Sequence, residues 1–418
     1  MSGVKNSFHN GELTKEKFML SVVSLEEAKR IILESGLSFE RKPEKVKLSE
    51  AVGRILFYDI CSCENIPAFN RSTVDGFAVK ASDTFGSSES IPAQLTVKGE
   101  ILMGEEAAIS ISEGECVRIS TGGMLPEGAD AVVMVENTDC TFDDFCLCFK
   151  AVSPFENVTR KGDDLKEGQL ILKKGTLLSS KHIGVLAAVG IGNAEVVQKI
   201  RVGIISTGDE LVPVEEKLTV GKIRDINTHM LMSLITEMGC VAQNYGIIGD
   251  SFREIYSAVK KAAEENDMVL ISGGSSAGVK DMTVKVISEL GKVDFHGIAL
   301  KPGKPTIYGT VNGKAVFGLP GNPAAAYYVT LLTVKPLTEK LYGREKNERT
   351  AKAKISKNIS SNHGREEVLS VKIKGEYAVP VYAKSAFVSA LSESDGYIII
   401  DRNSEGLKEN EEVTVYLL

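Results

Sequence analysis

The chain has 418 residues, too many for one ordinary core, so two to four domains are expected. Hydrophobic residues make up 43% and charged residues 25%, the balance of a globular protein with packed cores, and a formal net charge of -7 argues against a general nucleic-acid binder, which carries a basic face. No run of about 18 apolar residues marks a membrane-spanning helix, and the first twenty residues have no signal-peptide core, so a cytoplasmic location is expected.

Ser24-Leu25-Glu26-Glu27 reads as a capping box, with Ser24 capping a helix and Glu27 reaching back; the helix is expected to run to about Ser35, with Gly36 closing it. A short segment at 48–52 precedes the apolar run 55–60. From 67 to about 152 short apolar runs (77–79, 95–97, 116–119, 131–135) alternate with Gly, Ser, Asp and Pro, the texture of a small β module. Within it, residues 70–78 (NRSTVDGFA) and 118–123 (RISTGG) read on their own as ordinary turns. Seven cysteines lie at irregular spacing (Cys61, Cys63, Cys116, Cys140, Cys146, Cys148, Cys240) with no C-x-x-C pair. They read as small buried hydrophobes in preference to a soft-metal site, and none of the five histidines has zinc-ligand spacing. Residues 159–188 form a return segment with a helix around 180–189.

From 201 to 342 strand-like runs alternate with helical ones. Strands are expected at 202–205, 241–248, 268–272 and 315–319, and helices near 227–238, 252–264, 282–290 and from Pro323, with a kink or break at Pro336. This is the pattern of βαβ units around a largely parallel sheet, whose ligands bind beyond the carboxyl ends of the strands. Residues 350–418 return to β texture, with strands at 368–373, 378–382, 397–400 and 413–416, as expected of a separate small barrel.

The βα loops carry the chemistry. The first strand ends in Ser206-Thr207-Gly208-Asp209-Glu210 and the second in Gly249-Asp250, where Ser251 and Glu254 read as another capping box. The third ends in Gly273-Gly274-Ser275-Ser276-Ala277-Gly278, an anion nest of backbone N–H groups at a helix start, followed by Asp281. The fourth ends in Pro320-Gly321-Asn322-Pro323, where Asn322 caps a helix and Pro323 takes its first position. Lys301-Pro302-Gly303-Lys304-Pro305 holds two ammonium groups on a stiff loop suited to phosphate or another oxyanion. Each element has a plain reading too: Asp281 as an N-cap, the glycine pair as a turn, Glu210 as a solvated acid, the lysine loop as a solvated turn. Together, acids beside an anion site point to a phosphorylated ligand with Mg²⁺, held by one or two carboxylates plus phosphate oxygens.

Eight segments in order, PAFNRSTVDGFAV, RISTGGMLPEGADAVVMVE, RKGDDLKEG, ISTGDELV, GKIRDINTHML, SGGSSAGVKD, ALKPGKPTIYG and GLPGNPAAA, resemble the molybdopterin molybdenumtransferases, the MoeA and gephyrin E-domain family, over about residues 24–418. The resemblance implies a multidomain α/β plus β protein. It would have an elongated linking domain (21–66 with 153–190), a β module (67–152), a molybdopterin-binding-like three-layer α/β domain (191–345) and a C-terminal β-barrel (346–418). It implies a homodimer whose active site is shared across subunits, and insertion of molybdate into adenylylated molybdopterin with Mg²⁺-dependent release of AMP. The implied catalytic residues are Asp75, Thr121, Asp164, Glu210, Asp250, Asp281, Lys301 and Lys304, with Glu210 and Asp281 holding the metal. The implied binding residues are Thr207, Gly208, Asp209, Gly273, Gly274, Ser275, Ser276, Pro302, Gly303, Gly321, Asn322, Pro323, Arg365 and Ser385. Partners implied are a molybdopterin adenylyltransferase and downstream molybdoenzymes, with neither nucleic acid nor membrane. Two positions depart from the pattern: Gly297 where several relatives have a basic residue, and Asn70 where many have Asp. The alternatives are an adenylyltransferase or nucleotide pyrophosphatase on the same α/β domain, and a gephyrin-like scaffold.

Overall fold

In the computed structural model, which describes residues 22–37, 39–142, 144–273, 277–344, 348–381 and 388–418, Ser24 Oγ accepts the Glu27 N–H at 3.1 Å and opens α1 (Leu25–Glu34). Leu25, Ala28 and Ile32 recur at helical spacing and form its buried stripe. Glu27 does not reach back to complete a capping box, because its carboxylate pairs with Arg30 at 2.6 Å. Nor does Gly36 close the helix with a left-handed turn. The chain leaves through Ser35, whose hydroxyl donates to the Ile32 carbonyl at 2.6 Å.

The chain forms two units, Pro43–Val196 and the remainder. In the first, a six-stranded sheet runs in the order Ala131–Met134, Gly76–Val79, Glu115–Ile119, Ala93–Ile101, Phe145–Cys148, Thr138–Phe142. Its inner face buries Phe77, Val79, Leu95 and Val133 with the thiols of Cys116, Cys146 and Cys148. A second small core, of Leu56, Leu178, Leu186 and Val196, packs under the helix Ser180–Ala188.

The other unit joins α1 to the α/β domain and the C-terminal barrel. Its central sheet is built from β1 (Arg201–Thr207), β2 (Val241–Ile248), β3 (Met268–Gly273), β4 (Gly291–His296), β5 (Ile307–Val311) and β6 (Lys314–Leu319), in the order β2-β1-β3-β6-β5-β4. The first four in that order are parallel, and β5 runs antiparallel to both of its neighbours, β6 and β4. Helices α2 (Ile226–Glu237), α3 (Phe252–Glu265), α4 (Ala277–Leu290), α5 (Pro323–Val329) and α6 (Lys335–Tyr342) complete the domain. The middle strands read as unbroken apolar runs because both faces are covered, and Val202, Ile204, Ile205, Val269, Leu270 and Val316 are all buried.

Three local expectations are corrected. Ser251 makes no side-chain cap bond to α3; its own N–H already donates to the Gly249 carbonyl at 2.7 Å, and the Glu254 carboxylate lies against Gly249. Asp281 is not an N-cap, since α4 begins four residues earlier. The break near Pro336 falls before it, as a π-type turn at Thr330–Val334. A proline ring crowds the carbonyl four residues back, here that of Leu332, and the wider turn relieves it.

The barrel comprises β7 (Thr350–Ile355), β8 (Glu366–Lys374), β9 (Tyr377–Pro380), β10 (Gly396–Ile400) and β11 (Glu412–Leu417). The pairing runs β8-β9-β7-β11-β10 and returns to β8, so five strands close without an edge. Leu300–Lys301 adds a short parallel strand onto Glu366–Glu367, which ties the lysine loop to the barrel.

Candidate functional site

Strand register sets the site. Thr207 at the end of β1 stands beside Ile248 at the end of β2 and Gly273 at the end of β3, while Ser272 stands beside Leu319 at the end of β6. His296 ends β4 opposite Ile307, which in turn faces Gly318. The loops after β1, β2, β3, β6 and β4 therefore leave one edge of the sheet, the edge at which α/β domains bind ligands.

Along that edge the backbone is shaped by glycine. Gly273 has φ +145°, and a Cβ there would stand 2.1 Å from the Thr207 carbonyl oxygen and 2.3 Å from its Oγ1. Thr207 Oγ1 is buried with no hydrogen-bond partner among the described residues. At Gly208 a Cβ would meet the Glu210 carboxylate at 2.7 Å, so the glycine leaves that carboxylate its space. Asp209 Oδ1 accepts the Asp250 N–H at 3.1 Å, and Asp250 Oδ1 is buried without a partner among the described residues. Burial first, then the like charges of Asp209 and Glu210, hold the Asp250 carboxyl above the usual range against a hydrogen bond from the Asp209 backbone. Asp281 lies exposed on α4.

The lysine loop and the loop after β6 line a cleft of about 660 Å³ with the barrel. Lys301, Pro302, Gly303, Lys304 and Asn322 face Arg365 and Glu367 across it. The two lysines do not act as a free pair. Lys301 Nζ is 2.7 Å from Glu367 Oε1, and the other oxygen of Glu367 accepts from Ser361 Oγ at 2.8 Å. Lys304 is exposed, and its carbonyl accepts the Ile298 N–H at 3.0 Å. Asn322 caps α5 as expected, its Oδ1 accepting the Ala325 N–H, with Pro323 in the first turn. Gly297 has φ +115°, a conformation that a longer basic side chain adopts only with strain.

Several residues that hold these loops carry no strong sequence signal. Asn227 Nδ2 donates to Ser272 Oγ at 2.7 Å and to the Gly321 carbonyl at 2.9 Å, tying the ends of β3 and β6 together. Asp225 caps α2 and accepts from Ser206 Oγ at 3.0 Å, and Ser206 Oγ also meets Thr228 Oγ1 at 2.8 Å. An acid just before a helical run is a readable cap; its second bond to a buried strand serine is not.

In the Pro43–Val196 unit, Asp75 Oδ1 accepts both the N–H (2.7 Å) and the hydroxyl (2.9 Å) of Thr121, joining the two segments that read separately as turns. These bonds, the backbone one leading, hold the Asp75 carboxyl below the usual range. Asp164 is exposed in the same unit, its N–H on the Ile66 carbonyl. Asn70 Oδ1 accepts the Lys161 N–H at 2.9 Å, a structural bond an Asp carboxylate could also accept. Gly274, Ser275, Ser276 and Ser385 lie outside the described residues.

Comparison with known proteins covers the length of the chain. Residues 23–190 match the MoeA N-terminal region (domain I and II), 203–340 a probable molybdopterin binding domain, and 352–418 the MoeA C-terminal region (domain IV). Molybdopterin molybdenumtransferase of Haemophilus influenzae is 32% identical over 90% of this chain and 96% of its own, and that of Bacillus subtilis 32% over 90% of each. A crystal structure of the molybdopterin biosynthesis MoeA protein of Pyrococcus horikoshii superposes with a TM-score of 0.86 at 40% identity, covering 95% of this chain and 99% of that one.

Proposed function

The chain belongs to the MoeA family, and from that premise we propose that it is a molybdopterin molybdenumtransferase of molybdenum cofactor biosynthesis, inserting molybdate into adenylylated molybdopterin with release of AMP. The observation that supports this most is a cleft, between the lysine loop, the loop after β6 and the barrel, that gathers three cations. Lys301, Lys304 and Arg365 line one cleft with Asn322. Such a cleft suits a dianionic oxyanion and a phosphorylated pterin together. Lys304 and Arg365 would draw the anions, and Lys301 would engage them when its bond to Glu367 yields. The strand ends around Gly273 would seat the terminal phosphate, with the Thr207 hydroxyl, unpartnered among the described residues, as a further donor.

Mg²⁺ fits the acids present. Asp209, Glu210 and Asp250 supply only oxygen donors, Gly208 leaves room for the Glu210 carboxylate, and one oxygen of Asp250 has no partner among the described residues. Among the described residues no three acids already form a metal-holding cluster, so phosphate oxygens would complete the coordination. When bound, the ion would polarise the phosphoanhydride for cleavage. Glu210 would hold it, with Asp281 as the second acid implied by the family.

We also propose a homodimer in which Asp75, held by Thr121, and Asp164 serve the cleft of the partner subunit. The support is the family resemblance together with an ionised, pre-oriented carboxylate at Asp75. Transfer partners would be a molybdopterin adenylyltransferase upstream and apo-molybdoenzymes downstream.

An adenylyltransferase or pyrophosphatase on the α/β domain alone leaves the matched N- and C-terminal regions without a role. The deciding experiment follows AMP release from adenylylated molybdopterin with and without molybdate. Release that depends on molybdate is expected, whereas adenylyl transfer from ATP without molybdate would overturn the reading.

A further inference from the structure

We propose that Cys140 and Cys146 form a reversible disulfide across the hairpin Thr138–Phe142/Phe145–Cys148, a modification site independent of the cleft. The two sulfurs are 2.8 Å apart, already inside the contact distance of two thiols. The hairpin register pairs Thr138 with Cys148 and Asp139 with Leu147, then shifts before Phe142 pairs with Phe145, and Cys140 lies in that irregular stretch with its sulfur against Cys146. With the sulfurs already in contact, only a short closure to the roughly 2.05 Å of an S–S bond separates the thiol pair from a disulfide. The other neighbours of Cys146 are worse placed. Cys148 lies two residues along the same strand, where about 6.6 Å separates the Cα atoms at the limit of disulfide reach, and Cys116, although its thiol also meets Cys146, sits two strands away across Ala93–Ile101, about 9.6 Å between strands and beyond the Cα spacing of a disulfide.

Exposure assigns the roles. Cys140 is exposed and Cys146 fully buried. The Cys116 thiol beside Cys146, together with burial and Cys140, holds Cys146 above the usual thiol range, so attack begins at Cys140. The Cys140 thiolate attacks a sulfur of a low-molecular-weight disulfide such as oxidised glutathione, forms a mixed disulfide and expels one thiolate. Cys146 then gives up its proton and attacks Cys140 Sγ, expelling the second thiol. In balance, two protein thiols and one small disulfide become one protein disulfide and two small thiols. An exposed thiol with a resolving thiol poised beside it is the arrangement of a redox-responsive pair.

The full-length protein, equilibrated in glutathione buffers of stepped redox poise, is trapped with N-ethylmaleimide and mapped by mass spectrometry. The expected result is a single cross-linked species joining the Cys140 and Cys146 peptides, lighter by two hydrogens and restored by dithiothreitol. The solvent-facing Cys140→Ser should abolish it. Cys146→Ala should leave Cys140 as a lasting mixed disulfide with glutathione, while Cys148→Ala should keep the cross-link. A cross-link from Cys140 to any other cysteine, a wild-type protein that stops at the mixed disulfide, or protection of these thiols by stoichiometric zinc would each overturn the proposal.

Discussion

Lys301 Nζ and Glu367 Oε1 meet at 2.7 Å, so a lysine that lines the cleft is held by a carboxylate from the barrel. The lysine side chain is 46% exposed, and a pair this open contributes under about 1 kcal/mol to stability. Its effect falls on the ligand: an incoming oxyanion competes with Glu367 for the ammonium. Glu367→Gln should leave the denaturation midpoint nearly unchanged and tighten molybdate binding several-fold by titration calorimetry. Lys301→Ala should lower kcat by about 10²–10³ if the ammonium stabilises charge that develops in the reaction. Equal molybdate affinity in wild type and Glu367→Gln would remove Lys301 from the anion site.

Two glycines separate backbone need from mere tolerance. At Gly273 a methyl group would collide with the Thr207 backbone in a φ of +145°, and Gly273→Ala should cost about 2–5 kcal/mol in chemical denaturation and remove activity. Gly184 lies exposed inside the helix Ser180–Ala188, and a methyl group added there would meet nothing within 4 Å, so Gly184→Ala should stabilise by about 0.5–1 kcal/mol.

Asp75 offers a pH test. Its folded pKa is lowered, so its contribution to stability is present above the unfolded value of about 3.9 and is lost as pH falls through the folded value. Thr121→Val removes the hydroxyl donor but keeps the N–H, which is the stronger influence. The Asp75 carboxyl, followed by ¹³C NMR, should therefore titrate higher than in wild type yet still below an ordinary aspartate. A full return to the ordinary value would assign the effect to the hydroxyl alone.

The α/β domain was legible because buried parallel strands are written as unbroken apolar runs. The run 202–205 lies within β1 and 268–272 within β3, and Asn322-Pro323 announced its helix by cap chemistry. Less legible were β5, which has a glycine at its centre, and β7, which alternates Lys with Ala; neither stands out as an apolar run. Long-range pairing was the blind spot at the site. The spacing of Lys301 and Lys304 suggested two free cations, but Glu367 is 66 positions from Lys301 and reaches it only because Leu300–Lys301 joins a barrel strand. Asp75 and Thr121 looked like separate turns for the same reason, since their strands are neighbours in the sheet and distant in the chain.

Asp250 links the acids to the proposed metal. Its folded pKa is raised by burial and by Asp209 and Glu210, so its stabilising contribution is complete below the unfolded value of about 3.9 and disappears as pH climbs through the folded value. At neutral pH the ionised carboxylate is thus a local burden that a bound cation relieves. Asp250→Asn should raise the melting temperature at pH 7 without Mg²⁺, and added MgCl₂ should stabilise wild type more than the variant. The same variant should lose Mg²⁺-dependent AMP release while keeping its fold by circular dichroism. If MgCl₂ shifts both melting curves equally, the ion acts elsewhere, and Asp250, raised by burial beside Asp209 and Glu210, takes no part in holding it.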